Sequence, residues 1–192
     1  MSFRVVVFTF GLACAARADE PPAVDVDAAP PRTFVSLRGG FGNVPVDAVG
    51  ARLQVCGEVA PLAFFSIESC GTGAGFLFEP APEIAHLRAK LRLTSWNTSA
   101  GWLEPQLALG FAELQVGDDA AGFDFTGTGP TGVETAGPEA GLSLRWVTAL
   151  GGGLELLGDA ALSLAYFAHA PALTTSMSEW QPSATLSLGI GW

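Results

Sequence analysis

Three observations predict an all-β fold, an eight-stranded antiparallel up-and-down transmembrane β-barrel. Apolar and polar residues alternate with period two from residue 33 onward, charged residues make up only 15% of the chain, and short and long connections alternate along it. A typical soluble domain is about 25% charged. Here Gly reaches 24 of 192 residues and the single lysine is Lys90, so an ordinary hydrated surface is hard to build. After the N-terminal segment no run of about 18 apolar residues occurs, which excludes a spanning helix there.

The first residues read MSFRVVVFTFGLACAARADE. Arg4, the apolar run Val5 to Ala16 and the small-x-small triplet Ala16-Arg17-Ala18 predict a signal peptide over 1–18, cleaved before Asp19. An uncleaved anchor is the lesser reading, because the run is short for a bilayer. Lipidation at Cys14 is lesser too, since Gly11 stands where a lipoprotein box carries a large aliphatic residue. Cleavage leaves 7 basic against 19 acidic residues, a formal charge of −12, which argues against a nucleic-acid partner. Cys56 and Cys70 remain as an even pair, for which a disulfide is the expected state in an oxidising compartment. Residues 19–32, rich in Pro, Ala and Asp, read as a flexible periplasmic leader, and 33–192 as the barrel.

Alternation places strands over 33–43, 49–59, 64–73, 84–94, 102–112, 139–148, 154–168 and 183–192. The clearest is 84–94, where Leu87, Ala89, Leu91 and Leu93 oppose His86, Arg88, Lys90 and Arg92. The stretch 64–73 is less regular and reads as bulged. Eight is even, as a closed bacterial up-and-down barrel requires. Connections near 60–61, 96–101 and 150–153 are short, whereas 74–83, 118–135 and 169–181 are long, the asymmetry expected of a membrane barrel.

A soluble barrel hides its apolar face and a membrane barrel displays it. The polar face here is mostly Gly, Ser, Thr and Ala with a few charges, which suits a narrow lumen better than a hydrated exterior. Charges enclosed there must pair. The expected network contains Arg88, Arg92, Glu104, Arg145, Glu155 and Asp159. Setting Leu93 opposite Leu103 places Arg92 against Glu104, and Arg145 falls within diagonal reach of Glu155 or Asp159. A hairpin centred on Ala63 sets Cys56 against Cys70 and Glu58 against Glu68, the latter unfavourable unless an arginine intervenes. Trp96, Trp102, Trp146 and Trp192 gather at the short-turn rim as interfacial aromatics, with Phe41, Phe76, Phe78, Phe111, Tyr166 and Phe167 near the other rim.

The signal peptide, the eight amphipathic strands and the closing segment TLSLGIGW together resemble the small outer-membrane β-barrels of Gram-negative bacteria, the OmpA-barrel and OmpX-like proteins. The resemblance implies an outer-membrane location, contact with outer-membrane lipid, and recognition by the barrel-assembly machinery. Leu186, Leu188, Ile190 and Trp192 would form the assembly signal. It brings no functional motif with it.

Chemistry is sparsely encoded. His169 lacks the His-x-Ser-Asn run of outer-membrane deacylases, and His86 reads as a lumen residue balancing acids. GTGPTG at 127–132 matches a phosphate-loop pattern but follows no buried strand and opens no helix. Asp118, Asp119 and Asp124 lack calcium-loop spacing, and two cysteines with two histidines make no zinc pattern. The expectation is therefore a non-enzymatic barrel with no cofactor or metal, in a structural or surface-interaction role. A secreted lipocalin-like binder of an apolar ligand and a lipid-modifying enzyme are the alternatives.

Overall fold

A computed structural model describes residues 33–43, 51–71, 83–116, 133–174 and 178–192. The expectations for the signal peptide, Cys14, the leader, Phe76, Phe78, GTGPTG and Asp118, Asp119 and Asp124 lie outside the described residues.

The strands are β1 (Val35–Asn43), β2 (Ala51–Leu62), β3 (Phe65–Gly71), β4 (Glu83–Arg92), β5 (Trp96–Thr98), β6 (Gly101–Gln115), β7 (Glu134–Gly151), β8 (Leu154–Tyr166) and β9 (Trp180–Gly191). All pairings are antiparallel, each long strand bonds to its sequence neighbour, β1 bonds to β9, and β4 bonds to β6. This closes an eight-stranded barrel and removes the free edges that an open sheet would present. β5 is a three-residue ribbon in the β4–β6 connection, paired only with the start of β6. Gly101 at that turn has φ 127°, and Gly151, Gly152 and Gly153 turn β7 into β8 with φ of 95°, 64° and 81°, a conformation that L side chains resist. A one-turn helix, Ala170–Leu173, follows β8.

Burial follows the alternation along most of the long strands and breaks at the long-loop ends of β6 and β7, where Glu113 and Glu134, at outward parity, are also buried. In β8 Glu155, Leu157, Asp159, Ala161, Ser163 and Ala165 are buried, while Ala160, Leu162 and Leu164 are exposed. The charged residues of β8 face inward, and its outward set carries no charge. Leu162 is 68% exposed, Leu186 64% and Leu142 60%, values that ordinary cores never show for leucine. Their register joins them into one belt, with Leu142 opposite Leu162 and Leu186 between Ala160 and Phe41. Between the two rims no outward position of the described residues carries a charge.

Several sequence expectations shift. β6 and β7 extend to Gln115 and from Glu134, beyond the residues that alternation marked, because Pro138 pairs with Phe111 and the ladder continues past it. The β4–β6 register differs as well. Leu93–Ser95 leave the ladder before β5, so Leu103 pairs with Trp96 and Arg92 faces Gln106 instead of Glu104. The irregularity expected in 64–73 lies in the pairing of β2 with β3, between Val59 and Leu62.

Candidate functional site

Because alternate residues of all eight strands converge on the axis, the barrel interior is where distant parts of the sequence meet. It is layered. At the short-turn end Arg92 pairs with Glu104, which also accepts a hydrogen bond from Ser95 Oγ at 3.1 Å, and Thr33 Oγ1 donates to Glu155. A cavity of about 30 Å³ opens here beside Ser66, Lys90 and Gln106. That is room for about one or two water molecules.

The middle layer is a cross-lumen ion network. Arg38 on β1 reaches Glu58 Oε2 at 2.8 Å, contacts Glu68, and lies 3.0 Å from Asp159 Oδ2. Lys90 on β4 donates to Glu68 at 3.1 Å and to Asp159 at 2.9 Å. Arg145 on β7 donates to Glu58 and lies 3.4 Å from Asp159. Arg88 holds the other oxygen of Glu68 at 2.8 Å. Four cations thus share Glu58, Glu68 and Asp159, and Glu139, 3.9 Å from Arg88, supplies the fourth carboxylate. Each of these side chains is nearly fully buried. In such surroundings desolvation rivals the Coulomb attraction, so the net stability the network adds is small beside the loss that removing one partner would cause.

Glu58 and Glu68 do lie opposite each other, as the hairpin centred on Ala63 requires, and Arg38 intervenes between them. The same register sets Cys56 opposite Cys70, which form a disulfide closing a 14-residue separation. Loop closure of that size contributes about 3 kcal/mol in the chain-entropy account. Beyond the disulfide, His86 Nδ1 lies 2.9 Å from Glu139 Oε2.

The long-loop end holds an apolar cluster, with buried Thr135 and Gln181 beside it in register. Ile84, Ala112, Leu114, Ala165, Phe167 and Ala170 pack together there, with Phe167 and Leu114 wholly buried. Phe167 was expected in an outer aromatic girdle. Its parity with Ala165 carries it to the inward side, into the apolar cluster; the helix after β8 contributes Ala170 to the same cluster. The repeated inward parity of Ile84, Ala112 and Leu114 was a legible signal for this cluster.

Of the six network residues expected, Arg92 and Glu104 pair together, as do Arg145 and Asp159, while Arg88 pairs with Glu68 and Glu155 turns to Thr33 at the rim. Arg38, Glu58, Glu68, Lys90 and Glu139 join them in the interior. Trp96, Trp146 and Trp192 stand at the short-turn end, with Trp96 and Trp192 about half exposed. Trp146 is partly covered, donates from Nε1 to the Ala100 carbonyl at 2.9 Å and lies over Gly158, its neighbour in register. Trp102 departs from the outward set, since it shares the inward parity of Glu104 and Gln106 and pairs in register with buried Val147. Leu186, Leu188 and Ile190 point outward from β9, followed by exposed Trp192.

The two histidines lie in different surroundings. His86 is buried on Glu139, and exposed His169 precedes the short helix with no side-chain capping bond. The interior therefore supports a packed, ion-paired lumen. No protein family, curated protein or solved structure matches the chain.

Proposed function

We propose that this chain is an integral outer-membrane barrel of a Gram-negative bacterium, exported through a cleaved signal peptide, with a structural or surface-interaction role. One observation carries the reading. Among the described residues the outward face between the rims is a continuous apolar belt without charge, whereas the inward face holds the ion network. A continuous exposed apolar face of this kind is what soluble monomers avoid. A hydrocarbon surround removes that cost. β2, β6, β7, β8 and β9 have 12 or more residues each, enough for tilted strands to cross a bilayer.

The same polarity favours this reading over a lipocalin-like binder, whose ligand cavity needs apolar walls inside. Here the interior is charged at its middle and filled by an apolar cluster toward one end. Open-pore activity is disfavoured by the same filling. The membrane reading brings outer-membrane lipid as a partner. The outward Leu186, Leu188 and Ile190 of β9, with Trp192, serve as the signal read by the barrel-assembly machinery.

Membrane fractionation combined with protease treatment of intact cells tests the proposal. The protein should stay with the membrane through salt and carbonate washes, and its 118–135 connection should be cut from outside. A protein recovered free in the periplasm, or a connection protected on intact cells, would contradict it.

A further inference from the structure

The Cys56–Cys70 bond lies at a depth that restricts when it can form. Both residues are inward on β2 and β3 and are 2% and 3% exposed. On the short-turn side the layer of Glu58, Glu68, Arg38 and Lys90 stands between them and the small cavity, and its members are bound to one another at 2.8 to 3.1 Å. On the other side comes the apolar cluster containing Ile84, Leu114 and Phe167. Laterally, Cys56 is flanked in register by Arg38, and Cys70 by His86, on strands that belong to the closed barrel. The Arg88 guanidinium approaches Cys70 Sγ to 3.8 Å.

Thiol–disulfide exchange needs a sulfur of the oxidant to come into line with the attacking thiolate. Among the described residues Cys56 and Cys70 are covered to all but 2% and 3% of their surface, which leaves a protein oxidant no approach to either sulfur in the closed barrel. We infer that oxidation of Cys56 and Cys70 precedes barrel closure, and that the oxidant is a disulfide-bearing protein acting on the open chain. In the first step the thiolate of one cysteine attacks the oxidant's disulfide, forming a mixed disulfide and releasing one oxidant thiolate. The second cysteine, as its thiolate, then attacks the chain's own sulfur in that mixed disulfide. The chain loses two electrons and two protons, and the oxidant leaves as a dithiol. The finished barrel encloses the bond and shields it from reduction by the same walls. This ordering depends on barrel closure alone and holds whichever membrane, if any, surrounds the protein.

The test uses the full chain, reduced and unfolded in urea. In one arm a thioredoxin-fold protein disulfide is added before transfer into detergent micelles; in the other it is added after folding, judged by tryptophan emission and protease resistance. Samples are quenched in denaturant with a maleimide–polyethylene glycol, and thiol loss is read as the absence of a gel shift. Oxidation after folding should be slower by at least about tenfold, because it must wait for the barrel to open. A reduced chain that never reaches the folded state supports the same order, since closure then requires the bond. Equal oxidation rates in the two arms would overturn it.

Discussion

Asp159→Ala should destabilise the barrel by about 3–5 kcal/mol, the cost of leaving buried charges uncompensated. Asp159 is 4% exposed, and its carboxylate lies within ion-pair distance of Arg38 at 3.0 Å, Lys90 at 2.9 Å and Arg145 at 3.4 Å. No neighbour replaces it, because Glu58 and Glu68 are already engaged by the same cations. The change is read as a shift of the urea midpoint in micelles, with an unaltered slope marking a true stability effect. Adding Lys90→Met to the variant should recover part of the loss, since the second substitution removes a cation along with its missing partner. A double-mutant cycle isolates that coupling. A loss below about 1 kcal/mol, the range of solvated surface pairs, would mean that water reaches the network freely.

Leu162→Arg should cost about 2–4 kcal/mol in vesicles, the penalty for a cation near the bilayer midplane. Leu162 lies centrally on β8, 68% exposed, between Leu142 on β7 and Ala184 on β9. In a water-soluble protein so exposed a leucine tolerates arginine within about 0.5 kcal/mol, so the two environments give separable answers. Depth gives the internal control. Thr148→Arg, at an outward position beside the short-turn rim, should cost only about 0–1 kcal/mol. Equal small effects at both sites would place the face in water.

Much of the fold was readable because a strand's period of two is a local property. Alternation in 84–94 and 154–168 sorted inward from outward residues before any pairing was known, and equal spacing about Ala63 led to the Cys56–Cys70 register. What was not readable depends on closure. Arg145 meets Glu58 across 87 residues of sequence, and Lys90 meets Asp159 across 69, contacts that exist only once eight strands surround one axis. Hairpin counting also failed where residues leave the ladder, as Leu93–Ser95 do, since each departure changes the register of everything beyond it. Phe167 and Trp102 were assigned by residue type when parity was the better guide. An aromatic ring suits an interface, but strand geometry decides which way it points.

Spin labels placed singly at residues 186, 187 and 188 of β9, in the chain reconstituted into vesicles, test the exposed belt most directly. Labels at Leu186 and Leu188 should collide readily with oxygen and poorly with a water-soluble nickel complex, whereas a label at Ser187, buried in the lumen, should be shielded from both. Nickel collisions at 186 and 188 as frequent as those of a label in free solution would contradict the account.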